Sequence, residues 1–215
     1  MRTVVFLGPS CPLVVAEAVL RADYRPPARR GDILVACESG AKIMVLIDGV
    51  MIYEYPPSPK EVAAAVASGT AVVGGASLGA LRAVELRNHG VRGVGWVYAR
   101  YLDGTVDADD EVVVKLDPRT GSPRSVPLIQ IRYALECLRD EGVITEEAAA
   151  IVIARLKEIH FEERTFEAVI ELCKQEKLGD DLAPQLLDRR YDVKRMDTVA
   201  SLQRAKEIAG AWTRA

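Results

Sequence analysis

Along the first hundred residues, short runs of apolar and β-branched side chains alternate with glycine-rich turns and stretches of helical composition. Thr3–Leu7 is one such run, short enough to predict a buried strand, and it stops at Gly8-Pro9-Ser10. A helical stretch follows from about Pro12 to Arg21, and Arg25–Asp32 reads as a loop. Ile43–Ile47 predicts another buried strand, closed by Asp48-Gly49. Beyond the stiff connector Tyr55-Pro56-Pro57-Ser58-Pro59, Lys60–Ser68 has helical composition and ends before Gly69. Thr70–Val73 predicts a third strand. A glycine-flanked serine comes next, then a helix from about Leu78 to Asn88 with Gly90 placed as its C-cap. Strand, glycine-rich turn and helix, repeated in this way, predict an α/β fold with a mostly parallel sheet and flanking helices. Gly93–Val97 and Glu111–Leu116 are candidates to extend that sheet.

The pattern changes after Asp117–Pro123, which reads as a turn or linker. From Pro127 onward the apolar period is helical: Ile131, Ala134, Leu135 and Leu138 form one stripe, Thr145-Glu146-Glu147 opens a helix running to about Ile159, and Thr165–Lys174 and Asp197–Ala211 complete a helical tail. The expected division is an α/β core over residues 1–122 and a helical C-terminal region over 123–215, packed on the core.

Composition narrows the classes. Of 215 residues, 49% are apolar and 27% charged, which is ordinary for a globular protein, and a net charge of −3 argues against general electrostatic binding of nucleic acid. No apolar stretch approaches the roughly 20 residues that span a bilayer. The apolar run at the start is too short for a secretory signal, and the four cysteines form no C-x-x-C pair. The expectation is a cytoplasmic protein with reduced thiols and no membrane partner. Two histidines and scattered cysteines argue against a zinc site, and no cofactor is expected.

The candidate chemistry centres on Gly75-Ala76-Ser77-Leu78-Gly79, a G-x-S-x-G between an apolar strand and a helix. The glycines permit a tight turn, the serine hydroxyl is held out at the strand end, and N–H groups of the helix N-terminus, near Leu78 and Gly79, can stabilise an oxyanion. The same pattern also serves as a tight structural turn. A serine nucleophile needs a base. His89 lies near the far end of the helix that Ser77 begins, roughly 15–18 Å away, and His160 falls in the helical tail, so neither completes a triad. Lys60 opens the helix before the serine strand, where a strand–helix–strand order can bring it near Ser77; taken by itself it reads first as a solvated first-turn lysine. Gly8 and Ser10 can present backbone donors or form a simple turn. Asp48 ends a strand, where α/β proteins often place functional side chains. Arg82 and Glu85 at i, i+3 form at least an ion pair. Asp107–Glu111 reads as a solvated acidic loop or a cation- or partner-binding one.

Together these segments resemble the TfuA-like family. The resemblance rests on Phe6-Leu7-Gly8-Pro9-Ser10, Pro26-Pro27-Ala28 with Gly31-Asp32-Ile33, Ile47-Asp48-Gly49, Lys60-Glu61, the run Gly75–Leu86, and Asp109-Asp110-Glu111-Val112, with a looser match through Pro127-Leu128-Ile129 and Arg132-Tyr133-Ala134. Pro59 stands where the family often has histidine before Lys-Glu, and Leu78 where methionine is frequent. The resemblance implies a partner of a YcaO-type enzyme in peptide-backbone thioamidation. It implies hydrolysis of the C-terminal thiocarboxylate of a ThiS-like, ubiquitin-fold sulfur carrier, releasing sulfide for the YcaO enzyme, and help in binding the peptide or protein substrate. A Ser–Lys pair attributed to the family falls on Ser77 and Lys60. Two other readings remain: a non-catalytic adaptor that docks carrier or peptide onto the YcaO enzyme, and a phosphate-binding α/β protein, which lacks both a complete G-x-G-x-x-G and a Walker lysine.

Overall fold

The apolar runs pair as strands because their residues are buried on both faces, the signature of a parallel sheet covered by helices on each side. The computed structural model describes residues 2–52, 54–179 and 181–214. Strands β1 (Thr3–Phe6), β2 (Asp23–Arg25), β3 (Ile43–Leu46), β4 (Ala71–Gly75) and β5 (Arg92–Val94) form a five-stranded sheet in the order β2-β1-β3-β4-β5. All pairings are parallel, with Val5 opposite Val45 and Val45 opposite Val73. Side chains alternate between the faces. Val4, Phe6, Met44, Leu46 and Val72 pack with Ile33, Val62 and Ala83 of helices α2 (Asp32–Glu38), α3 (Pro59–Ala67) and α4 (Leu78–Glu85). Val5, Ile43, Val45, Ile47 and Val73 pack with Ala16 of α1 (Leu13–Val19) and with Leu202 and Ala205 near the end of the chain. Helix α5 (Trp96–Leu102) follows β5.

The strand order reverses at β1, whose following chain leads out to β2 while β3 leads the other way to β4. In sheets of this kind the diverging loops open a crevice at the carboxyl edge beside the reversal. The loops carrying Gly8, Asp48 and Ser77 all leave that edge.

The remaining helices are α6 (Leu128–Asp140), α7 (Glu146–Glu158), α8 (Phe166–Gln175), α9 (Leu182–Leu186) and α10 (Val193–Arg214). The chain divides into two compact units, Met1–Asp107 with Lys194–Ala215, and Ala108–Val193. The second has its own core, in which the expected stripe Ile131, Ala134, Leu135 and Leu138 is buried with Val152, Leu156 and Val169. Thr145 and Thr165 cap α7 and α8, each accepting from the N–H three residues on. No helix among the described residues is long and apolar enough to cross a membrane.

Three expectations need correction. Glu111–Leu116 does not extend the sheet: residues 109–111 form a 3-10 turn, and Leu116 makes an isolated antiparallel bridge with Pro123. The acidic run is not simply solvated either. Asp107 and Asp109 are exposed, but Glu111 is fully buried and accepts two bonds from Arg132, at 2.7 and 2.8 Å, while Asp110 pairs with the buried Arg164 at 3.0 Å. The serine helix stops at Glu85 rather than Asn88; a 3-10 turn, Arg87–His89, follows, and Gly90 ends it at φ 93°. Beyond the expected elements, β2, α2, α5 and α9 also form, and the strand expected over Gly93–Val97 is β5, Arg92–Val94, with Trp96 and Val97 in α5.

Candidate functional site

Strand β4 enters the site through two glycines whose lack of side chains lets helix α4 lie directly on the sheet. A Cβ on Gly74 would overlap the Gly79 carbonyl, and one on Gly79 would overlap the Leu46 carbonyl. The Gly79 N–H donates to the Ile47 carbonyl at 3.1 Å, tying the first turn of α4 to the end of β3. Between strand and helix the chain reverses over Ala76, a non-glycine residue at φ 63°, while the Ser77 N–H donates back to the Gly75 carbonyl at 2.7 Å. An i to i+2 bond closed over a positive-φ residue is the rare, strained hand of the γ-turn.

That turn leaves Ser77 as the N-cap residue of α4, 5% exposed, with a hydroxyl that does not cap the helix. The side-chain oxygen of an N-cap serine normally accepts from the first free N–H groups. Here, among the described residues, the hydroxyl has no hydrogen-bond partner. Gly79 N–H is committed to Ile47 and Ala80 N–H to the Ser77 carbonyl, at 2.9 Å, so the donor left beside the hydroxyl is the Leu78 N–H. A tetrahedral oxyanion at Ser77 would meet that N–H and the positive end of the helix dipole.

In the loop after β1 the backbone donors are turned to a side chain. Buried Asp48 accepts from the Gly8 N–H at 2.8 Å, the Ser10 N–H at 3.2 Å and the Ser10 hydroxyl at 2.6 Å. Pro9 has no N–H, so the donors expected from Gly8 and Ser10 are engaged, and Asp48 serves as the clasp of this loop. A hollow of about 280 Å³ lies beside it, lined by Leu7, Gly8, Cys11 and Leu13 with Tyr24, Arg25 and Pro26.

Lys60 is exposed on the first turn of α3. Among the described residues no hydrogen bond or ion pair joins it to Ser77, and the burial that a neutral lysine base calls for is not found at this position. Its backbone is nevertheless firmly placed. Ser58 and Glu61 form a capping box, and the nearly buried Glu61 carboxylate also takes the Gly31 N–H at 2.7 Å. Arg82 reaches from α4 to the Pro57 carbonyl at 2.9 Å while holding Glu85 at 2.9 and 3.0 Å. Arg82 therefore pins the proline connector, and with it the start of α3, to the serine helix.

Two further residues belong to this neighbourhood. Glu61 was legible through the spacing Ser58-x-x-Glu61, the signature of a capping box. Asp197, on α10, carries no local signal. It is 4% exposed, accepts the Trp96 N–H at 2.9 Å and the Val97 N–H at 2.8 Å, and burial pushes its carboxyl up to about 6 against the opposing pull of those two bonds.

The class defined by this fold and site is a doubly wound α/β protein presenting an unpaired serine on a strained strand-to-helix turn. The family model for TfuA-like protein matches residues 48–165, more than half of the chain, and the chain belongs to that family. The matched segment holds Asp48, Lys60, Ser77, Arg82 and Glu85; Gly8, Ser10 and Asp197 lie outside it. No curated protein matches the chain.

Proposed function

We propose that this TfuA-like protein releases sulfide from the C-terminal thiocarboxylate of a ThiS-like carrier and supplies it to a YcaO-type enzyme for thioamidation of a peptide or protein. The observation that carries the reading is the Ser77 hydroxyl, unpaired at a helix N-terminus on a strained turn. In the first step Ser77 Oγ bonds to the thiocarboxylate carbon, the negative charge collects on oxygen against the Leu78 N–H, and the C–S bond breaks. The serine proton, relayed by Lys60, leaves with sulfur as hydrosulfide, and an acyl ester remains on Ser77. Water then cleaves the ester, giving the carrier carboxylate and free Ser77. Hydrosulfide is a far better leaving group than an amine, so the demand on a general acid is light. An extended carrier tail entering over the hollow at Gly8 would run along the carboxyl edge of the sheet and cover Lys60, burying a side chain that is otherwise exposed.

Sulfide release from thiocarboxylated carrier tests this. Ser77→Ala should abolish turnover and Lys60→Ala should lower kcat by roughly 100-fold or more; undiminished release in both variants would refute the assignment. The exposure of Lys60 and its lack of a bond to Ser77 favour one alternative, an adaptor that docks carrier or peptide onto the YcaO enzyme without catalysis. Carrier binding with no turnover by the wild type would select it.

A further inference from the structure

The serine turn does not stand on the sheet alone. Its back is closed by α10, from a part of the chain that the family match does not reach. A methyl group on Gly75 would overlap the Ser201 hydroxyl, crowd the Val94 carbonyl and touch the Asp197 carbonyl at 3.6 Å. Ser201 in turn donates its hydroxyl to that Asp197 carbonyl at 2.8 Å. One residue of α10 thus meets two neighbouring loops at the carboxyl edge. Its backbone lies behind Gly75, whose carbonyl closes the γ-turn to Ser77. Its side chain takes the first two N–H groups of α5, directly after β5. Gly95 at φ 99° makes room for it, since any Cβ there would fall on the carboxylate.

We propose that Asp197 is a positioning residue for Ser77, locking the loop after β5 and the back of the serine turn to a single point on the C-terminal helix. The inference rests on the hydrolase reading of Ser77. α5 is a short helix whose N-cap, Gly95, has no side chain, and among the described residues Asp197 is what satisfies its first two N–H groups. The arrangement does not serve packing best. Burying a carboxylate beneath β5 carries a desolvation penalty, visible in its raised pKa, which an apolar side chain on α10 would avoid. Buried polar groups retained against such a penalty are found where geometry must be held, and a displacement of about 1 Å at a reacting group costs roughly 100-fold in rate. The Ser77 hydroxyl, two residues beyond Gly75, is the reacting group in reach of that displacement.

The test compares wild type, Asp197→Asn and Ser201→Ala. Three readouts are taken: thermal unfolding, steady-state sulfide release from thiocarboxylated carrier, and the rate of covalent labelling of Ser77 by a fluorophosphonate. Asparagine keeps the shape and one acceptor but sets its amide against the second N–H. The expected result is an Asp197→Asn protein that unfolds cooperatively at neutral pH, with kcat lowered roughly 10- to 100-fold, KM unchanged and Ser77 labelling slowed in step. Ser201→Ala, which removes one hydroxyl from the same contact, should show a smaller loss of the same kind; it carries the test alone if Asp197→Asn does not fold. A folded variant with wild-type kcat and labelling rate overturns the inference and leaves the hydrolase reading standing. A fall in sulfide release through KM alone, with labelling intact, overturns it equally. A wild type that neither releases sulfide nor labels at Ser77 overturns the hydrolase reading and this inference with it.

Discussion

At the scale of single residues, the site is held by close approaches that leave no room for a side chain and by one strained turn. Gly79 is the sharpest case, because its missing Cβ is occupied by the Leu46 carbonyl of the neighbouring strand. Gly79→Ala should push α4 off the sheet and lower the unfolding free energy by about 3 kcal/mol in chemical denaturation; an unchanged midpoint would contradict the packing described. Ala76 is a different case. It holds φ 63° without being glycine and is fully buried, so Ala76→Gly sets relief of the strained turn against loss of a buried methyl group and should leave the unfolding free energy within about 1 kcal/mol of wild type; a loss above about 2 kcal/mol would contradict the strain. The G-x-S-x-G pattern was legible as a turn with a presented hydroxyl. The reason that hydroxyl stays free was not, since it depends on Gly79 bonding across to Ile47, a contact between residues 32 positions apart.

At the scale of elements, legibility followed burial. β1, β3 and β4 are apolar runs buried on both faces, and each was placed from sequence to within two residues at either end. β2, with the sequence Asp-Tyr-Arg, is an edge strand of three half-buried residues whose polar pattern conveys nothing of its pairing with β1. α2 exposes Leu34 and Val35, which blurs its apolar stripe. Glu111–Leu116 misled in the other direction. Its valines suggest a strand, yet its first residue is a buried carboxylate satisfied by Arg132 from α6, and no local rule forecasts that pair. Glu111→Gln should leave Arg132 with an imperfect partner and destabilise the unit Ala108–Val193 by about 3 kcal/mol, measured by denaturant unfolding. A change below about 0.5 kcal/mol would mean that the pair contributes little.

At the scale of the whole molecule, the chain builds a sheet, leaves it for a helical unit, and returns with α10 to close the second face of that sheet. This return escapes sequence reading because α10 looks like any amphipathic helix, and its buried Asp197 finds its partners 100 and 101 positions away. It leaves a thermodynamic mark whose sign is fixed. The folded pKa of Asp197 lies above the ordinary aspartate value of 3.8, at about 6. Between those two values the unfolded chain has released the proton and the folded chain still holds it. The contribution of Asp197 to stability therefore falls as pH rises from about 4 to about 6, by about 3 kcal/mol in all, and is constant beyond. Asp197→Asn should remove that slope, so that wild type and variant diverge in unfolding free energy across this window, with wild type losing ground as pH rises; parallel curves would contradict the assignment of a buried, titrating carboxylate. The central claim concerns Ser77, and intact-mass spectrometry of the protein quenched during incubation with thiocarboxylated carrier tests it most directly. A covalent adduct of carrier mapping to Ser77 in the wild type, absent from Ser77→Ala together with sulfide release, is the predicted result. Sulfide released by Ser77→Ala at the wild-type rate would contradict it.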